Sequence, residues 1–111
     1  MTINEYQKKA LMTAPTYSLR NKKLLNGLMG LNGEAGEAID LLKKHIFQNH
    51  DLNIEHLASE LGDIAWYLAV SADAIGYSLE KIFQMNIEKL EKRYPEGVDS
   101  ERSIHGSNLD I

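Results

Sequence analysis

The sequence predicts an all-α, four-helix bundle-like domain. Apolar residues recur at helical spacing in four segments, and those segments are bounded by capping residues, prolines and a glycine. No segment alternates apolar and polar residues as a half-buried strand would. Helices are expected over about 3–13, 22–47, 54–75 and 79–94. They form one domain over about 1–97, with a polar tail after it.

Each element has its own signals. Thr2 followed by Glu5 fits a capping box for the first helix, and Pro15 stops it, because the residue before a proline disfavours α geometry. Ile3, Tyr6, Ala10 and Leu11 form its stripe. In the second helix the stripe is Leu24, Leu28, Leu31, Ala35, Ala38, Leu42 and Ile46. Gly27, Gly30, Gly33 and Gly36 interrupt that helix at every third position, each costing about 0.5–1 kcal/mol relative to alanine. Two readings stay open for them: close packing by another backbone, or room for a ligand. Asn53 is the expected N-cap of the third helix and Gly76 its stop. Its core stripe is Ile54, Leu57, Leu61, Ile64, Ala65, Leu68 and Ile75. Ser78 can cap the fourth helix, Pro95 follows it, and Ile82, Phe83, Ile87 and Leu90 are its core candidates.

Composition narrows the function classes. A chain of 111 residues buries roughly 65% of its unfolded surface, enough for one core. It is 43% hydrophobic and 25% charged, ordinary for a soluble protein. The net charge of -4, without a dense basic patch, argues against a nucleic-acid partner. With no Cys, disulfides and thiolate metal sites are excluded, which fits a reducing cytoplasm. The N-terminus lacks the apolar run of a signal peptide. No stretch of about 18 apolar residues exists, so no membrane span is expected.

The chemistry-bearing residues are acids set in apolar helices. Glu34 and Glu37 stand among Gly, Ala, Leu and Ile on the second helix, and Glu60 and Asp63 on the third. Residues three apart share a helix face with Cβ atoms roughly 5–6 Å apart, so one pair can reach a single metal or two adjacent ones. Carboxylate oxygens suit Mg²⁺, with Mn²⁺ as a substitute. Carboxylates in such surroundings need cationic compensation. That compensation is either a metal or Lys and Arg from another helix. The same spacing recurs at Glu37/Asp40, Glu88/Glu91 and Glu96/Asp99, in polar surroundings that read as solvated faces. A di-iron bundle is disfavoured because no Glu here precedes a His by three residues.

Other side chains complete the candidate set. Lys89 and Arg93 lie four apart on the fourth helix, with Asn86 one turn earlier. They can contact phosphate oxygens or simply face water. Tyr67 follows Asp63 by one turn, and its hydroxyl can reach a carboxylate, a ligand or solvent. Trp66 reads as packing, and Asp73 as a cap or ion-pair residue. His45, His50, His56 and His105 sit in polar stretches and read as surface residues.

Together these segments resemble the MazG-like, all-α nucleoside triphosphate pyrophosphohydrolases. That family carries Glu-x-x-Glu on one helix and Glu-x-x-Asp on the next, here Glu34/Glu37 and Glu60/Asp63. The stretch Asn86-Ile-Glu-Lys89-Leu-Glu-Lys-Arg93 is similar to the family's phosphate-contacting segment. The resemblance covers about residues 22–97. Many members have a further acid where this chain has Gly33. The resemblance implies a catalytic domain that cleaves (d)NTPs between the α- and β-phosphates, releasing a monophosphate and pyrophosphate, as a house-cleaning hydrolase. It implies Mg²⁺ held by Glu34, Glu37, Glu60 and Asp63, with Glu34 or Glu37 also orienting the attacking water. Lys89, Arg93 and Asn86 would bind the outgoing phosphates. A cytoplasmic homo-oligomer, dimer or tetramer, is implied as well. The alternative is a helical interaction module, or a nucleotide-binding one, without turnover.

Overall fold

A computed structural model describes residues 1–97. Its elements are α1 (Ile3–Leu11), α2 (Arg20–Gln48), α3 (Ile54–Ala74) and α4 (Leu79–Arg93). All four expected helices are present. Among the described residues there is no strand, only an isolated bridge between Pro95 and Gly97. The chain divides into two units, Met1–Glu80 and a second beginning at Lys81. Among the described residues no helix is long and apolar enough to cross a membrane. The tail expected beyond residue 97 lies outside the described residues.

The helix ends follow local chemistry. Thr2 Oγ1 accepts the Glu5 backbone N–H at 3.1 Å, and Asn53 Oδ1 accepts that of His56 at 3.0 Å. Both caps satisfy amides that the first helical turn leaves without partners. α2 closes at Asn49, whose φ of 62° is left-handed, a conformation Asn tolerates better than most residues. Gly76 follows α3 with φ of 80°, where a side chain would be strained.

In the first unit α2 and α1 each pack on α3. Gly27 lies against Ser71: a Cβ there would overlap the Ser71 hydroxyl and come 3.3 Å from its backbone nitrogen. Gly30 lies against the ring of Tyr67, which occupies the space a Cβ would need. A Cβ at Gly33 or Gly36 would meet nothing within 4 Å beyond its own helix backbone among the described residues. The two readings of the glycine series therefore divide between its halves: the first two glycines are packing contacts, and the last two face open space.

α1 is held by polar bonds as well as by burial. The buried Gln7 donates through Nε2 to the carbonyls of Ala69 (3.1 Å) and Tyr77 (3.4 Å), and its Oε1 accepts the Leu79 N–H at 2.8 Å. Trp66 Nε1 donates to Thr13 Oγ1 at 2.8 Å and to the Ala10 carbonyl at 3.2 Å, so it is a packing residue that also ties α1 to α3. Lys23 pairs with Asp73, joining α2 to α3 and giving Asp73 its ion-pair role.

The buried apolar set is small: Ala10, Ala69, Val70, Ala72, Ala74 and Leu79. Several expected core positions are instead exposed, including Ile3, Leu28, Ile46, Ile54, Leu61, Ile75, Phe83, Ile87 and Leu90. For α2 the reason is visible in its sequence. At 100° per residue, Leu25, Leu28, Met29, Ile39, Ile46 and Phe47 fall within one stripe about 100° wide, and all six are exposed. Leu24, Leu31, Ala38 and Leu42, which are half-buried, lie on the side that carries Gly27. The helix is apolar on two faces, and α3 covers one. In the second unit, Ile82 is half-buried.

Gly27→Ala and Gly30→Ala are each expected to lower stability by about 1–3 kcal/mol through overpacking at the α2–α3 seam. Gly33→Ala, in open space, is expected to raise it by about 0.5–1 kcal/mol from helix propensity. Urea unfolding of the three variants checks the contrast; equal effects at Gly30 and Gly33 would show that the seam does not need its glycines.

Candidate functional site

The seam sets the register of the acids. Residue 27 meets 71 and residue 30 meets 67, so α2 and α3 run antiparallel. Continuing that register by one to two turns brings Glu34 and Glu37 level with Asp63 and Glu60. Oxygens of Glu34, Glu37 and Glu60 indeed lie within 4.8 Å of one another. Glu37 is exposed, Glu34 half-buried and Glu60 only 9% exposed.

The electrostatics of this cluster are unfavourable unless something positive joins it. Oε2 of Glu34 and Oε2 of Glu60 are both buried with no hydrogen-bond partner. Like charges so close cannot all ionise freely. Glu34 is accordingly pushed up to about 7, first by its carboxyl–carboxyl contact with Glu60, then by burial and by the charges of Glu37, Glu60 and Asp63. Glu60 is held below the ordinary carboxylate range, first by hydrogen bonding with Glu34 and then by Glu37 and His56, against the effect of burial. A proton shared between Glu34 and Glu60 is one resolution, and a cation bound by the three oxygens is the other. An all-oxygen set with two orphaned buried oxygens fits Mg²⁺ or Mn²⁺.

The remaining candidates are placed as follows. Asp63 is exposed and lies outside the 4.8 Å set. It is near enough to act on Glu34 and on Tyr6, whose hydroxyl is shifted upward first by burial and then by the Asp63 charge. Tyr67 is half-buried, its ring on Gly30 and edge-to-face with Trp66 at 4.9 Å. Lys89 and Arg93 belong to the second unit, where they line a shallow surface with Met85, Glu88 and Lys92; Asn86 is exposed one turn earlier. Asp40 pairs with Lys44 at 2.8 Å and with Lys43 at 3.6 Å, as expected of a solvated face. Two neighbours were not singled out from the sequence. Tyr6 carries no signal beyond its place in the α1 stripe. His56 had one, the His-x-x-x-Glu spacing that puts it one turn before Glu60 on α3.

The antiparallel α2 and α3 thus present opposed Glu-x-x-Glu and Glu-x-x-Asp motifs, the arrangement of an all-α protein with a carboxylate-lined cluster. Residues 22–98 match the MazG nucleotide pyrophosphohydrolase domain, and the chain belongs to that family. It is 38% identical over 74 residues to the Gene 37 protein of Mycobacterium phage L5, an alignment covering 63% of this chain and 65% of that relative. The match thus spans a little under two thirds of the relative's length. No solved structure matched the chain.

The raised Glu34 gives a signed pH dependence in metal-free buffer. Because the folded chain binds this proton more tightly than the unfolded one, the stabilisation is complete below the ordinary value of 4.5 and is lost as pH rises through about 7. The lowered Glu60 acts in the opposite sense and below that window: its contribution is present above 4.5 and is lost on further acidification. Wild type is therefore expected to lose melting temperature from about pH 5 to 8, and Glu34→Gln to lose less. Parallel profiles for the two proteins would show that Glu34 holds no shared proton.

Proposed function

We propose that the chain is a Mg²⁺-dependent nucleoside triphosphate pyrophosphohydrolase, acting on (d)NTPs as a house-cleaning enzyme. The observation that carries this reading is the convergence of Glu34, Glu37 and Glu60 from two helices within 4.8 Å, in a chain of this family. Glu34, Glu37 and Glu60 hold the metal, with Asp63 one turn along α3 completing the set. Bound there, the cation supplies charge neutralisation and Lewis acidity for a phosphoanhydride.

The protein's own groups divide the remaining work. Glu34 or Glu37 orients a water by accepting its hydrogen bond and takes its proton as the attack proceeds. The water oxygen adds to the α-phosphorus, and the bond from that phosphorus to the α–β bridging oxygen breaks. The electron pair leaves with pyrophosphate, and the nucleoside monophosphate remains. Lys89 and Arg93 offset the charge on the outgoing phosphates, Arg93 as a planar fork and Lys89 as a point charge, with Asn86 as a neutral donor. Tyr67 offers its hydroxyl to the ligand from its seat on Gly30.

The bare apolar stripe of α2 supports self-association, since monomers rarely leave so continuous a patch in water, and the reading is of a cytoplasmic homo-oligomer, dimer or tetramer. No nucleic-acid or membrane partner belongs to this reading.

Incubation with each (d)NTP and Mg²⁺, with products resolved by ion exchange, is expected to yield monophosphate and pyrophosphate from wild type. Glu37→Gln and Glu60→Gln are expected to lower kcat at least about 100-fold while remaining folded. Retained activity in both variants would sink the site assignment, whereas binding without product would point to the non-enzymatic nucleotide-binding module. For assembly, Ile39→Glu with Ile46→Glu is expected to shift the sedimenting species toward the monomer; an unchanged profile would remove the α2 stripe as the interface.

A further inference from the structure

Glu60 is the most buried member of the carboxylate cluster, and its two oxygens are treated differently. Oε1 lies 3.1 Å from His56 Nε2, while Oε2 is buried with no hydrogen-bond partner. An ionised carboxylate only accepts, so the bond requires the proton on His56 Nε2. His56 itself is held from behind. Its backbone N–H is the one capped by Asn53, which fixes it in the first turn of α3, four residues before Glu60. Its side chain is 53% exposed, against 11% for that of Glu60. His56 also lies outside the set of oxygens that fall within 4.8 Å of one another, so it stands behind Glu60 rather than among the ligands.

We propose that His56 is a positioning residue: by occupying Oε1 of Glu60 it locks the carboxylate so that Oε2 is the oxygen presented to the divalent cation. This rests on the metal-binding reading above and deepens it. The physical need is clear. A Glu has three rotatable bonds, and a ligand that must find one rotamer at each binding event loses affinity to that search. A donor on one oxygen removes the search.

Mn²⁺ is the probe, with calorimetric titration of the full, metal-free chain as the readout. His56→Ala is expected to weaken Mn²⁺ binding about 10–100-fold, the range typical for loss of a group that orients a metal ligand. His56→Gln, which keeps a donor on the same helix face, is expected to restore most of it. The double variant His56→Ala/Glu60→Gln is expected to bind no more weakly than Glu60→Gln alone, because His56 acts only through Glu60. The metal-free melting temperature of His56→Ala is expected to fall modestly, since the buried Glu60 carboxylate loses a donor, and binding is titrated at a temperature where the variant is still folded. Wild-type affinity in His56→Ala would overturn the role of His56 and leave the metal site standing. A glutamine variant as weak as the alanine variant, or additive losses in the double variant, would also overturn it. Failure of wild type to bind Mn²⁺ would overturn the metal reading and this role together.

Discussion

Close approach of α2 to α3 is the constraint on which the first unit depends. Gly27 and Gly30 remove the side chains that would hold the helices apart, and Ser71 and Tyr67 fill the space. The energetic cost of two glycines within a helix is offset by the contacts the shorter separation permits. The same separation carries along the seam to Glu34, Glu37 and Glu60. A wider seam would leave these acids as two solvated pairs, like Asp40 with its lysines. At this spacing their oxygens share one small volume.

That volume creates an electrostatic demand. Three carboxylates within 4.8 Å, two with buried and unpartnered oxygens, repel one another and draw in positive charge. A proton shared by Glu34 and Glu60 satisfies the demand in part, and a divalent cation satisfies it more fully. Structural ion pairs do occur in the unit, between Lys23 and Asp73 and within the Asp40 cluster, but they lie elsewhere on α2. No lysine or arginine is among the groups that shift Glu34 and Glu60. Orphaned oxygens in a concentration of negative charge leave that demand open to a cation.

Helix α2 also shows how one element serves several surfaces. One side packs on α3, an adjoining arc carries the acids, and the opposite stripe from Leu25 to Phe47 is apolar and bare. Covering that stripe would stabilise the helix that carries Glu34 and Glu37.

The helices and their caps were legible in the sequence because they depend on interactions within a few residues. Thr2 to Glu5, Asn53 to His56 and the turn at Gly76 are local contacts, and each is present. The paired acids were legible too, because carboxylates at helical spacing among Gly, Ala and Leu conflict with their surroundings. Burial was not legible in the same way. Leu28, Ile46 and Leu61 satisfy the helical period, yet the period says only that a face is apolar, not which neighbour covers it. The glycine series likewise had two readings until the helices were set against each other. His56 read as a surface histidine, which by exposure it is, and only the folded structure shows its 3.1 Å contact with Glu60. The sequence alone determined the elements, their ends and the chemical type of the site, because these follow from short-range backbone and side-chain chemistry. Tertiary structure alone decided which apolar face is covered, which glycines are contacts and which acids converge, because these depend on the distance between helices remote in sequence.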